Sequence, residues 1–492
     1  MSELVRPEDF LSDAPPPRIM GSENEYPLQL KTPPDASKTL TPAIIKHCFG
    51  AASSGRLRYV ITEDRGGLKY WFQNGGKLYL DCYMPEYVSA ECLGPAEATA
   101  ADFAGVLIIR QLAQNYPEQF QHTGTFRRTG ADLSNLGIKQ HNDNESATNG
   151  YHENYLLARE LAQPGQLEAI LPSFLATRIQ TFSGQISQSF ESGYGLSQKI
   201  SDINGEPLSY KRDRRTVKNG KPMAMICGID SDDSDVNTDT RFARVEIRYA
   251  HATMSRPAQY LAFATTSLVL RLKEHEKLTK PWTQGLELEN PVDAAHAIAQ
   301  DLSLSATFAT SDGRQLSAID IQEGYALAAE ALSQRIELPA DELAAIGLWL
   351  QICDNLRACD PANQDYSPVA DVVDWAARYH YLIRQFDPHE LRQNREASGK
   401  DLLWDRIEPP GSSTQYWPKI RNHQNIISDQ QIEQLVATAP RQTRASIRGQ
   451  LIASGQVKSV DWTHVCDSDG RKLDLSNVYQ TKMPRRPGRS AA

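Results

Sequence analysis

The chain reads as an α+β protein built on an antiparallel sheet, with a small C-terminal domain. Three observations predict this class. Residues 56–87 alternate in short runs broken by Gly66-Gly67 and Asn74-Gly75-Gly76, as an antiparallel meander does. Further alternating, acid-bearing runs stand at 18–26 and 244–249. Stretches with Ala and Leu at helical spacing fill 96–115, 258–274, 320–335 and 340–358.

In chain order, residues 1–17 end in Pro15-Pro16-Pro17 and read as a flexible lead. In the strand at 18–26, Glu23 and Glu25 are two residues apart, so both carboxylates point to one face. Thr41 and Pro42 supply the cap and first turn of a short helix at 41–49. Residues 122–150 are polar, and a helix is expected at 153–161. Five aspartates between Asp230 and Asp239 mark a loop, and a further helix is expected at 293–302. Glu408-Pro-Pro-Gly-Ser-Ser-Thr414 is linker-like. It divides a large domain at 18–420 from a small one at 425–480, helical over 428–455 and β-like over 457–466, with a basic tail at 481–492.

Composition narrows the function classes. The 492 residues carry 52 Lys+Arg against 61 Asp+Glu, a net charge of −9, which argues against generic nucleic-acid binding. The hydrophobic share of 40% permits a large core. Seven scattered cysteines without a C-x-x-C pair argue against a zinc ribbon or disulfide framework and fit a reducing compartment. The N-terminus lacks the apolar run of a signal peptide, and no stretch reaches membrane-span length. A cytoplasmic location with no membrane partner is expected.

The chemistry-bearing residues are acids on strands: Glu23 and Glu25, then Asp81 with Glu86 and Glu91, then Glu246 beside Arg248. Carboxylates converging from several strands can hold hard cations, which in turn hold phosphates. A solvated strand face presents the same residues.

Arg244-Val-Glu246, Arg248 and Tyr260-Leu-Ala-Phe263 resemble the strand–loop–helix of glutamine synthetases. That resemblance implies a glutamine synthetase-like curved sheet with packed helices, and an enzyme that makes an acyl phosphate from ATP and passes it to nitrogen. A closer resemblance lies in RIMGSENEY (18–26), NGGKLYLDCYMPEYVSAEC (74–92), GYHENYL (150–156), LSQKI (196–200) and TRASIRG (443–449). These are similar, in order, to the motifs of the Pup ligase and Pup deamidase/depupylase family, proteasome accessory enzymes that attach or remove the small modifier Pup.

The resemblance implies ATP and Mg²⁺ as cofactors, a Pup-like protein modifier or peptide as partner, and a proteasome-pathway link. It makes Asp81 the catalytic residue, and Glu23, Tyr79 and Glu86 metal-site residues; Glu246 joins them by the glutamine synthetase pattern. Lys77, Ser89 and Trp462 fall on ATP contacts, Arg248 on a phosphate or carboxylate contact, and His152 and Glu153 on a segment lining the same site. The small domain is expected to approach the nucleotide through Trp462 and Arg444 or Arg448. Lys77 stands where the family has arginine, and Ile229 where it has a phosphate-facing arginine.

Glu25-Tyr26, the four-residue step from Asp81 to Pro85 and the helix starting at Ala294 resemble the deamidase/depupylase branch. The 51-residue span from Glu23 to Asn74 is nearer the ligases. A carboxylate-amine ligase acting on a small metabolite or peptide, and a Pup-binding module without turnover, are the alternative readings.

Overall fold

The computed structural model describes residues 5–26, 28–30, 57–64, 67–81, 84–114, 124–127, 150–187, 190–210, 220–229, 241–407 and 426–483. The expected helix at 41–49, most of the polar stretch at 122–150, the aspartate-rich loop, the linker at 408–414 and the end of the basic tail lie outside them.

A ten-stranded sheet forms the centre. Its strands are β1 (Ile19–Glu25), β2 (Tyr59–Asp64), β3 (Gly67–Phe72), β4 (Lys77–Asp81), β5 (Met84–Val88), β6 (Cys92–Leu93), β7 (Tyr151–Ala158), β8 (Leu208–Ser209), β9 (Ala224–Cys227) and β10 (Phe242–Ile247). The spatial order is β8-β9-β10-β7-β1-β5-β4-β3-β2, and β6 also pairs β1. Pairing is antiparallel as expected, except that β8 runs parallel to β9 at the edge. The fourteen residues between those two strands are enough for the crossover that a parallel pair needs.

The helix expected at 153–161 is instead β7, near the middle of the sheet. Its period is two. Tyr151, Glu153, Tyr155 and Leu157 point into the helix layer, where all four are buried. Aromatic residues on a strand suit that half-buried role. The Tyr155 hydroxyl donates to Glu153 (2.7 Å) and lies 3.2 Å from the Ala262 carbonyl.

Two helices back this face: α1 (Pro95–Gln114) and α2 (Arg256–Glu274). Ser22 on β1 donates to Asp102 of α1 at 2.9 Å, and Gln259 of α2 donates to the Tyr151 hydroxyl at 2.7 Å. Behind α2 stand α3 (Ala318–Ser333) and α4 (Ala340–Arg357). Because α2 is enclosed, its charged residues are paired. Arg271 meets Glu342 (3.1 Å) and Glu274 (3.4 Å), and Arg18 meets Glu274 (2.7 Å), all fully buried.

Residues 5–17, expected as a flexible lead, pack against the body. Phe10 is 0% exposed, with the Arg18 and Arg271 guanidinium groups each 5.3 Å from its ring centre and Phe242 edge-on at 6.2 Å. The Glu337 N–H donates to the Asp13 carbonyl, and Arg271 to that of Pro16. Cation–π contacts and burial hold a segment whose own sequence has too few apolar residues to predict docking.

The helical stretch at 428–455 divides into α5 (Asp429–Ala437) and α6 (Ala445–Ser454) around Pro440. Ile432 and Val436 of α5 share a core with Phe103 and Ile109 of α1. Helix α6 and a three-stranded sheet, β11 (Val457–Val460), β12 (His464–Asp467) and β13 (Lys472–Asp474), form a second core against Trp71 of β3. Gly449 lets α6 sit on the β3–β4 turn, since a Cβ there would lie 2.2 Å from the Gln73 carbonyl oxygen. No helix of the described residues is long and apolar enough to cross a membrane.

Arg178 donates to Glu153 at 2.9 Å and to the Tyr249 carbonyl at 2.8 Å, with both charged side chains fully buried. Arg178→Met strands the Glu153 charge and should cost about 3–5 kcal/mol of unfolding free energy, read by urea denaturation.

Candidate functional site

Cross-strand partners share a face, so the register determines which side chains meet. Glu23 pairs with His152 on β7 and Val88 on β5; Glu25 pairs with Glu86, and Glu86 with Tyr79. Val88 pairs with Lys77, Lys77 with Trp71, and Glu246 with Asn154. All these side chains therefore stand on the face opposite α1 and α2. Glu153 points away from them into the helix layer, so it does not line this face as expected; one residue of offset on a strand reverses the direction.

The face has three levels. At one end an open cleft is lined by Ile19, Leu156, Ile229 and Val478, with Arg244, Arg444 and Trp462 on its walls. Ser89 also lines it, but its hydroxyl accepts from the Ser22 N–H (2.9 Å) and is 3.2 Å from the Ala90 carbonyl. Ile229, where the family arginine was expected, is part of the apolar floor.

The middle level balances charge. Arg244 reaches Glu23 at 3.0 Å and Glu246 at 3.6 Å, and Arg248 donates to Glu246 at 2.8 Å. The His152 Nδ1 stands 3.5 Å from both carboxylates, and Asn154 donates to Glu23 at 3.0 Å. On the far side, Lys77 is 1% exposed, and its ammonium is enclosed by the rings of Tyr79 (4.8 Å), Trp462 (5.2 Å) and Trp71 (5.9 Å).

At the other end, single oxygens of Glu25, Asp81 and Glu86 lie within 4.8 Å of one another. Glu86 and Glu25 are partners across β1 and β5, whereas Asp81 is exposed at the tip of β4. Burial, then the Glu23 and Glu25 charges, push Glu86 well above the ordinary carboxylate range; the Tyr79 hydroxyl bound to it opposes the shift and Asp81 adds to it. An all-oxygen set whose members repel one another fits a hard divalent cation, which would relieve that repulsion. Burial, then Lys221, hold the Lys199 ammonium down to about 8 against the opposing charges of Asp202 and Glu25.

Of the four expected metal ligands, Glu86 falls in the carboxylate group and Tyr79 bonds to it, while Glu23 and Glu246 are held by arginines. Glu25 completes the group. The i, i+2 spacing with Glu23 placed it on the right face, but only the cross-strand partner distinguishes the two. Asp81, Lys77, Arg248 and Trp462 all reach this face.

The C-terminal segment is clamped to it through Glu91. Arg444 donates to Glu91 at 2.6 Å, and Arg448 pairs with its other oxygen while also donating to the Gly75 carbonyl at 2.9 Å. Arg448 stacks on Trp462 (4.8 Å), and Trp462 meets Trp71 edge-on at 4.9 Å.

Fold and face together define an α+β protein with an acidic, cation-suited site beside an arginine-flanked cleft. The sequence matches the Pup-ligase protein family over residues 18–466, and the chain belongs to that family. It is 28% identical over 466 residues to a Pup–protein ligase of Acidimicrobium ferrooxidans, covering 91% of this chain and 92% of that one. It is 25% identical over 495 residues to a Pup deamidase/depupylase of Mycobacterium tuberculosis, covering 91% and 90%. The solved complex of the prokaryotic ubiquitin-like protein Pup with its ligase PafA has the same fold: TM-score 0.73, 22% identity, 96% of this chain and 91% of that one.

Burial alone would raise Glu91, but Arg448 and Arg444 outweigh it and hold its carboxyl down to about 2, from 4.5. Its stabilisation is therefore complete above about pH 4.5 and lost as the pH falls through about 2. Glu91→Gln should lower stability by about 3 kcal/mol at pH 7. The deficit should shrink steadily below pH 4.5, as read by urea denaturation across pH.

Proposed function

We propose that this chain is an ATP- and Mg²⁺-dependent enzyme acting on the C-terminal Glu or Gln of a Pup-like protein modifier. The observation that carries the reading is the division of one sheet face: an apolar, arginine-flanked cleft at one end, a carboxylate group at the other, and a charge-balanced level between. Family membership supplies the chemistry. Its named relatives act on Pup, and a PafA structure was solved with ADP.

Glu25 and Glu86, with Asp81 beside them, would hold Mg²⁺, which when bound neutralises charge on phosphate oxygens. Trp462 and the floor of Ile19, Leu156, Ile229 and Val478 take the nucleotide base. Lys77, Ser89, Arg244 and Arg248 face its phosphates, and Glu23 and Glu246 fix the two arginines in place. Tyr79 orients Glu86. Asp81 is the base that deprotonates an incoming lysine amine in ligation, or the nucleophile or water activator in cleavage. Its exposed position leaves room for an acceptor.

Deamidation and isopeptide cleavage are favoured over ligation by Glu25-Tyr26 and the short step from Asp81 to Pro85. The span from Glu23 to Asn74 and the 28% identical ligase support ligation as the second reading. Mass spectrometry separates them. The protein is incubated with ATP, Mg²⁺, Pup-like peptides ending in Gln or Glu, and a lysine-bearing protein. Conversion of Gln to Glu marks deamidation, and a peptide–protein conjugate marks ligation. No ATP-dependent product of either kind removes the proposal.

Asp81→Asn should keep ATP affinity and lose about 10²–10⁴ in turnover. Loss of ATP binding with activity would make Asp81 a metal ligand instead. Trp462→Ala should weaken ATP binding by about 5–100-fold in equilibrium titration, the range of one base–aromatic stack.

A further inference from the structure

We propose that Arg448 is a positioning residue for the nucleotide and acts through Trp462: it fixes the indole that walls the cleft, and so ties ATP binding to the packing of the C-terminal segment. The inference rests on the reading of an ATP-dependent enzyme with the base at Trp462, and adds what holds that ring.

Trp462 stands between β11 and β12, in a turn whose main chain is set by Asp461. One carboxylate oxygen of Asp461 accepts from the Thr463 N–H at 2.8 Å and from the His464 N–H at 2.7 Å. Those bonds fix the backbone of the turn and leave the direction of the indole to its neighbours. The ring lines the cleft and meets Trp71 of β3 edge-on at 4.9 Å. The Arg448 guanidinium lies 4.8 Å from the ring centre and the Lys77 ammonium 5.2 Å.

Arg448 is carried by α6 and is 0% exposed. All three of its guanidinium nitrogens are engaged. Nε and Nη2 donate to the Gly75 carbonyl at 3.2 and 2.9 Å, and Nη2 also pairs with Glu91. Nη1 donates to the Trp462 carbonyl at 3.2 Å and reaches the other Glu91 oxygen at 3.3 Å. A planar group bonded through every nitrogen has a fixed plane. Its carbon lies over Trp462 and, at 5.6 Å, over Trp71. The π face of an indole attracts a cation so placed. One side chain therefore holds both the main chain and the ring of Trp462, and joins them to the sheet through Gly75 and Glu91.

Arg444 shares Glu91 but not the ring. Its partners are Glu91 and the carbonyls of Leu475 (3.2 Å) and Ile229 (3.5 Å). A lysine at 448 would keep a charge for Glu91, but it has no plane to lay on the indole and one nitrogen in place of three.

The test is a double-mutant cycle on the full chain, read as affinity for a non-hydrolysable ATP analogue with Mg²⁺ in equilibrium titration. Arg448→Lys should weaken binding by about 5–30-fold. The same change made on Trp462→Ala should cost less than about twofold further, because the ring through which it acts is gone. On Trp462→Phe, which keeps an aromatic face, most of the effect should return. If Arg448→Lys does not fold, Glu91→Gln with Arg448→Gln replaces it in the cycle, since neither partner then leaves the other charged. An equal loss with and without the ring would make Arg448 a brace of the cleft that acts independently of Trp462, and would overturn the inference. No loss in either background would overturn it as well. An unaltered affinity in Trp462→Ala would remove the ring from the nucleotide site and the inference with it, leaving ATP dependence intact. Failure of the wild type to bind the analogue would remove the proposed function itself.

Discussion

The structure depends on charge balance across one face of its sheet. Five carboxylates, Glu23, Glu25, Asp81, Glu86 and Glu246, stand on that face, all on strands next to one another or separated by β7 alone. Glu23 and Glu246 share Arg244, and Arg248 and His152 sit against them. Glu25, Asp81 and Glu86 crowd together, and the burial of Glu86 makes that crowding costly. Neutralised carboxylates serve as scaffold; crowded ones are suited to a cation. β1 thus holds both kinds, Glu23 and Glu25, two residues apart.

On the other face the Glu153 charge and the Ser22 hydroxyl are held by partners on the helix side of the sheet. Glu153 is tied to Arg178 and Tyr155, and Ser22 to Asp102. That rigid backing keeps adjacent side chains on β1 and β7 in opposite roles. Alternation along a strand is obligatory, so His152 and Glu153 can be neighbours in sequence while one faces the site and the other the core.

The cleft is assembled from distant parts of the chain. Ile19 and Leu156 come from the sheet, Ile229 from the end of β9, Trp462 from the C-terminal segment and Val478 from beyond β13. Phe10 packs beneath the same apolar floor, and Glu91 binds Arg444 and Arg448 at its rim. Docking of both chain ends is thus coupled to the shape of the cleft.

The alternation of the meander, the helical spacing of α1 to α4 and the shared face of Glu23 and Glu25 are local patterns, and the sequence alone determined them. Ordered motifs from Arg18 to Gly449 likewise made the family legible. The sequence did not separate strand from helix at β7, where eight residues fit either reading until neighbours on both sides supply hydrogen bonds. Nor did it show that residues 5–17 dock, since Phe10 is held by Arg18, Arg271 and Phe242. Only the tertiary structure decided that Glu25 rather than Glu23 joins Asp81 and Glu86. Both acids satisfy the same periodicity, and what distinguishes them is the residue across the strand: Glu86 for one, Val88 and His152 for the other, with Arg244 arriving from β10.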